Sequence, residues 1–227
     1  IPEASDLFGD ARIHMGTILK REGKPVQAIT IIREALEKKK GDVGLCSFLA
    51  SLYQDEKKIA EAEGILKEGL IFSPRSEELH YRLGVVYESA NRYDDSIRSM
   101  EEVLKIDPEH ADALNFIGYS YADRGIHLLK AEEMIKKALR LKPGNGYITD
   151  SLGWVYFKQS QNDLAIKYLK EASAIIPDDP LIAEHLGDAL AKKGMIEEAL
   201  ETYRRALKLN PKLVGISAKI EKLLKEK

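Results

Sequence analysis

The sequence is poorest in cysteine: 227 residues contain one, Cys46. A single thiol closes no internal disulfide, builds no cysteine-based metal site and does not identify a redox compartment. Tryptophan also occurs once, and aromatics make up only 7% of the chain. No apolar run approaches the roughly 18 residues of a membrane-spanning helix. Neither sign of charge dominates: 35 Lys and Arg face 37 Asp and Glu, for a net charge of −2. The basic surplus that nucleic-acid binding needs is therefore missing. Hydrophobic residues at 44% and charged residues at 32% suit a folded core and exceed what a disordered chain carries. The length bounds the chain to one or two domains. Its first residue is Ile1 rather than Met, which reads as a fragment or a processed chain whose signal or anchor would lie outside it.

Self-similarity is what the chain has in abundance. Small residues stand at Gly16, Ala50, Gly84, Gly118, Gly153 and Gly187, at intervals of 34, 34, 34, 35 and 34. A second series, Ala28, Ala62, Ser96, Ala131, Ala165 and Ala199, keeps the same spacing, as does a third, Ala35, Gly69, Val103, Ala138, Ala172 and Ala206. Prolines recur in step at Pro74, Pro108, Pro143, Pro177 and Pro211. The one extra residue falls between Gly118 and Ala131, in the turn after Arg124-Gly125. Each unit reads as two amphipathic helices, with apolar residues at three- and four-residue spacing. In the third unit Leu79, Leu83, Val86 and Tyr87 make one stripe, and Ile97, Met100, Val103 and Leu104 the next. The first two small series place a close crossing between the two helices of one unit, and the third places one between the second helix and the following unit. Each proline marks the break after the second helix, because it lacks an N–H.

The period and the residues Leu49-Ala50 with Tyr53, Leu83-Gly84 with Tyr87, Ile117-Gly118 with Tyr121, and Leu152-Gly153 with Tyr156 resemble the tetratricopeptide repeat. The Trp usual at the front of that motif is absent; Cys46, His80, Leu114, Thr149 and Ala183 take its place. The resemblance implies an all-α fold, a right-handed α-solenoid of helix-turn-helix units with a concave face lined by the first helix of each unit. The expected organisation is a single array over 1–227, with units at about 9–42, 43–76, 77–110, 111–145, 146–179 and 180–213. A capping helix over 214–227 follows, with Leu213, Ile216, Ile220, Leu223 and Leu224 on one stripe and Lys219, Lys222 and Lys225 opposed to it. The N-terminal end shows no comparable cap.

Signatures of catalysis are not found. The histidines, His14, His80, His110, His127 and His185, are not spaced as metal pairs, and there is no GxSxG elbow, phosphate loop or dinucleotide fingerprint. His80 and Cys46 stand at helix packing places and are expected in the core. Pro143-Gly144-Asn145-Gly146 falls where a turn between units must be. Asp94-Asp95 and Asp178-Asp179 sit beside helix starts, where the dipole favours them. The chain is expected to be no enzyme by itself, with no cofactor and no metal.

In this repeat family the groove is lined from the second, fifth, ninth, twelfth and thirteenth places of each unit. The resemblance therefore implies partner contacts at Tyr81, Asn115, Tyr119, Tyr147, Asp150, Trp154, Phe157, Glu184 and Asp188, with Asn115 hydrogen-bonding the partner's backbone. Packing of Trp154 and Tyr119 against a neighbouring helix is the alternative. The same places hold nine acids and four bases. Helix-end preferences explain some of them, but not mid-helix Asp150, Glu184 and Asp188. The expected partner is a protein or peptide, neutral to basic, with apolar anchors. The carboxylate clamp of chaperone-binding repeats has only Arg82 in place; Ile13, Thr17 and Glu78 fill its other positions.

Residues 113–125, followed by Ala131, Asp150-Ser151-Leu152-Gly153-Trp154 and His185-Leu186-Gly187-Asp188, look like a bacterial subfamily of these repeats, many of them envelope lipoproteins acting as adaptors. That implies a bacterial periplasmic or envelope location, with the cytoplasm as the alternative. The leading function is a non-catalytic scaffold or adaptor that holds a partner's peptide or helix in the groove. The alternatives are a self-assembling solenoid, joined through the N-terminal end, and a regulatory adaptor portion of a larger enzyme or envelope complex.

Overall fold

A computed structural model describes residues 5 and 7–225. Among these the chain is all α-helical, with thirteen helices and no strand. The first helices of successive hairpins are α1 (Phe8–Arg21), α3 (Val43–Asp55), α5 (Glu77–Ser89), α7 (Ala111–Asp123), α9 (Gly146–Lys158) and α11 (Pro180–Lys192). Their partners are α2 (Pro25–Lys38), α4 (Ile59–Phe72), α6 (Tyr93–Ile106), α8 (Leu128–Leu141), α10 (Asn162–Ile175) and α12 (Ile196–Leu209), and α13 (Ile216–Lys225) closes the series. The helices group into two compact units, Ile1–Pro108 and Glu109–Lys227. Each unit is a stack of helical hairpins, the all-α solenoid class that the resemblance implies.

The two turns of each repeat are built differently. The first helix starts with a side-chain cap in five repeats: Asp42, Ser76, His110, Asn145 and Asp179 each accept a hydrogen bond from a backbone N–H of the first turn. The second helix ends two residues before each proline of the series, where a missing N–H costs nothing. Between the two helices of a hairpin the chain passes through a left-handed residue, at Gly23, Lys57, Asn91, Gly125, Ser160 and Gly194. The extra residue of the fourth repeat lies in this turn, where His127 adds a second left-handed position at φ 49°.

Helix crossings are set by the small residues. A Cβ added at Gly84 would sit 2.7 Å from Met100 Cε, at Gly118 2.6 Å from Ile135 Cγ1, at Gly153 2.6 Å from Leu169 Cγ and at Gly187 2.5 Å from Tyr203 Cδ1. All four neighbours lie on the second helix of the same hairpin. Gly69 of the third series works both between hairpins and within one: a Cβ on it would stand 2.9 Å from Leu79 Cδ1 on α5 and 3.1 Å from Cys46 Sγ on α3. Around these crossings Leu45, Leu49, Leu66 and Leu79 fill the core of the first unit, and Ile135, Ile148, Leu152 and Leu169 that of the second.

Cys46 is buried, as expected, and its thiol is pushed up to about 11 by that burial, assisted by the charges of Glu68 and Asp42. His80 departs from its expected core position: it is only half-buried, and its Nε2 lies 3.0 Å from the Pro74 carbonyl. The imidazole finds a hydrogen-bond partner at the turn instead of in the apolar interior.

Not every glycine is a contact residue. Gly64 is exposed on α4 and a Cβ there meets nothing within 4 Å. Gly64→Ala is expected to raise stability by roughly 0.5–1 kcal/mol through helix propensity. Gly153→Ala is expected to lower it by roughly 1–3 kcal/mol through overpacking against Leu169. Urea denaturation of both variants checks the pair; equal effects of one sign would refute the crossing assignment.

Candidate functional site

The candidate site lies in the second unit, on the face formed by the first helices α7, α9 and α11 together with α13. A repeat of 34 or 35 residues brings equivalent places of successive first helices side by side. Polar residues exploit this at a separation of 35. Asp150 of α9 meets His185 of α11, whose Nδ1 is 3.0 Å from both carboxylate oxygens. Glu184 of α11 meets Lys219 of α13 at 2.7 Å. Lys158 and Lys192 reach back to the Asp123 and Phe157 carbonyls at 2.8 and 3.1 Å, neutralising the ends of the preceding helices. The first unit uses the same spacing in Lys20–Asp55 at 2.6 Å and Arg82–Ser47 at 3.1 Å.

An aromatic column runs through the centre of the site. The Trp154 ring stacks on His185 with centroids 4.1 Å apart and on Phe157 with centroids 4.8 Å apart. The Lys192 ammonium sits 4.6 Å from the centre of the Phe157 ring, and the Lys158 ammonium 4.9 Å from that of Trp154. Trp154 Nε1 donates a long hydrogen bond, 3.4 Å, to Asp123. Tyr119 flanks His185 from α7, 6.4 Å between ring centres. His185 thus satisfies a buried carboxylate with one edge and packs an indole with its face. A buried Asp without such a donor would be costly.

In the body of α11 the acids are held from within the chain. Lys219 bonds Asp188 at 2.7 and 2.8 Å as well as Glu184, and Tyr203 donates to Asp188 at 2.6 Å. Burial opposes the charge of Lys219, but its hydrogen bonds to Asp188 and Glu184 outweigh that and leave its pKa above the ordinary lysine value. Burial and the Asp188 bond raise Tyr203. Beside them, Phe157, Asp188, Ala191, Lys192, Tyr203, Lys219, Lys222 and Leu223 line a hollow of about 400 Å³.

The residues singled out from the sequence fall into three groups. Tyr119, Asp150, Trp154 and Phe157 come together, but Asp150 is only 5% and Trp154 only 7% exposed. Asp150 and Trp154 interlock α9 with α11 and offer a partner little open surface, because pairing and stacking with His185 consume them, while Tyr119 and Phe157 are half-buried beside them. Glu184 and Asp188 are half-buried and ion-paired to Lys219, so the three mid-helix acids that marked a negative groove each have an internal partner. Lys219, expected on the outward side of α13, turns toward α11 for this reason. Tyr147 stays open at 57% exposure, Asn115 is half-buried with its Oδ1 enclosed and unpartnered, and Tyr81 is half-buried on α5 of the first unit. Sequence reasoning missed His185 and Leu181. Pairing residues 35 apart finds the first, and the place equivalent to Tyr147 finds the second, which is 45% exposed. The Pro143–Gly146 segment is the turn expected there: Gly144 is left-handed, and Asn145 accepts from Tyr147 and Ile148 N–H groups.

Comparison with known proteins matches residues 77–110, 151–179 and 185–213 to the tetratricopeptide repeat family. A TPR repeat-containing protein of Pseudomonas aeruginosa is 34% identical over 123 residues, covering 54% of this chain and 21% of that protein. The first curated relatives are all much longer; the chain spans 19–34% of their lengths. Among solved structures, that of Pseudomonas aeruginosa pilF superposes with a TM-score of 0.78 at 18% identity, covering 98% of this chain and 99% of that one. YrrB, described as a TPR protein with an unusual peptide-binding site, gives a TM-score of 0.60 at 18% identity over 84% of this chain and 97% of that one.

The interlock makes its own prediction. His185→Ala strands the Asp150 carboxylate and removes a stacking partner, and is expected to cost about 3–5 kcal/mol in urea denaturation. Adding Asp150→Asn should recover part of that loss, and purely additive losses would contradict the pairing.

Proposed function

We propose, taking as premise that this chain is a tetratricopeptide repeat protein, that it is a non-catalytic scaffold holding a peptide segment or helix of a partner protein across the first helices of its second unit. One observation carries the reading. Tyr147 and Leu181 occupy equivalent places one repeat apart, on the first turns of α9 and α11, and both remain exposed, at 57% and 45%. Large apolar side chains held open beside a rigid, internally paired face are what partner anchors require. Asn115 Oδ1, an enclosed acceptor without a partner, is assigned to a backbone N–H of the bound segment once the amide turns toward it.

Apolar anchoring carries recognition in this reading. A demand for a basic partner loses its main support, since Asp150, Glu184 and Asp188 are paired internally. YrrB, which shares the fold, has a peptide-binding site, and that suits the same use of this one. A single continuous array over 1–227 and a place in the bacterial envelope, suggested by the resemblance of residues 113–125 and their followers, complete the proposal. Activities of the longer relatives outside the matched stretch are not assigned to it.

Peptides selected from a display library on the immobilised chain test the reading. Their affinity is expected to fall at least about tenfold for Tyr147→Ala with Leu181→Ala, with helicity unchanged by circular dichroism, and to vary little with salt. Unchanged affinity in that variant, or no selectable peptide at all, would overturn it.

A further inference from the structure

Tyr53, Tyr87 and Tyr156 occupy equivalent places on α3, α5 and α9, and the chain completes the surroundings of the last two. Tyr87 donates to Glu63 at 3.0 Å, and the Arg92 guanidinium lies 4.3 Å from the centre of its ring. Tyr156 donates to Glu132 at 3.3 Å, and the Lys136 ammonium is 5.7 Å from its ring centre. Tyr168 of α10 stacks on Tyr156 with centroids 5.5 Å apart and planes 22° from parallel. Tyr53 has none of these. Ile29 stands at the place of Glu132, and Ile65 at the place of Tyr168. Among the described residues the Tyr53 hydroxyl and ring have no polar or aromatic partner. Beside this tyrosine a hollow of about 400 Å³ lies between α2 and α4 over α3, with Leu36, Leu49, Tyr53 and Ile65 in its lining. Its walls and floor are three whole helices of the first unit. Arg33 of α2 and Glu61 of α4 stand at its rim, exposed and, among the described residues, in no ion pair.

We propose that this hollow is a socket for one aromatic side chain of a partner polypeptide, its ring stacked on Tyr53 as Tyr168 stacks on Tyr156. The occupant is read from the chain's own solution to the same problem. Two second helices over a first helix frame both places, α2 and α4 over α3 in one unit, α8 and α10 over α9 in the other. Where the second unit closes its frame with a ring, the first has the smaller Ile65, which keeps the lining apolar and leaves a ring's volume open. An entering ring meets Tyr53 on its face and the aliphatic side chains of Leu36, Leu49 and Ile65 around it. Arg33, at the place of Lys136, brings a cation to the stacked pair. Glu61 stands where the second unit has Leu164, and its carboxylate suits a Lys or Arg next to the aromatic residue of the partner. The inference stands independently of the partner site on α9 and α11.

Methyl NMR of the 227-residue chain, titrated with N-acetyl-phenylalaninamide, tests it. Ring-current shifts are expected at the Leu36, Leu49 and Ile65 methyls, saturating with a Kd of roughly 0.5–10 mM, in keeping with so small a ligand. Ile65→Tyr supplies the ring from within and should weaken binding at least about tenfold with helicity unchanged. Tyr168→Ile opens the equivalent space in the second unit and should add a second site, read at the Leu152 methyls. Free phenylalanine, which carries two extra charges, should bind more weakly than the capped amide. No shifts at the three first-unit residues, or shifts that persist in Ile65→Tyr, overturn the socket. A Tyr168→Ile chain that still has one site overturns the equivalence from which the occupant is inferred. Free phenylalanine binding more tightly than the amide makes the occupant a free amino acid and overturns the polypeptide partner.

Discussion

The close approach of two helix backbones at one small residue per hairpin is the constraint on which the rest depends. Where α7 crosses α8, the Ile135 side chain fills the space a Cβ on Gly118 would need, and Leu169 and Tyr203 do the same at Gly153 and Gly187. An approach this close fixes the height at which the helices cross and hence which side chains of the second helix enter the core. Met100, Ile135 and Leu169 are completely buried as a result. Repeating the crossing at a fixed interval places every first helix in a constant relation to the next within each unit. That constancy makes polar pairing at a separation of 35 possible.

Those polar pairs give the second unit its character. Stacked apolar hairpins could slide along one another with little loss, since burial is not directional. A carboxylate bonded by an imidazole, or a lysine shared between two acids, holds only in one register. Asp150 with His185 and Glu184 and Asp188 with Lys219 are therefore register locks, and Trp154 packed on His185 adds a shape-dependent contact. Such rigidity serves a scaffold, because a face that does not rearrange spends little of the partner's binding free energy on ordering.

The regular part of this architecture was legible in the sequence. Gly and Ala at the crossings, the prolines after each second helix and the break near Gly125 located the helices, because each reflects a backbone requirement that leaves few residue types acceptable. The site was less legible. Placing Asp150 and Trp154 on the inner side of α9 was within reach, but whether they face solvent depends on what the next helix presents. His185 reads from the sequence as a plain surface or interhelix histidine, and only its pairing with a residue 35 earlier reveals its contact with Asp150. Lys219 was read as outward because hydrophobic periodicity ranks a lysine as polar and takes no account of acids on a neighbouring helix. The place of Tyr147 on its helix singled it out, and Leu181, exposed at the equivalent place of the next repeat, was not singled out.

Trp154 is the only tryptophan in the chain, so the central claim can be read from the wild-type protein alone. If that ring is an interlock packed on His185 and Phe157, its fluorescence in the native protein should be blue-shifted and weakly quenched by iodide, and should become red-shifted and freely quenched on unfolding in urea. Native emission already red-shifted and quenched as readily as in the unfolded chain would place the ring in solvent and contradict the account.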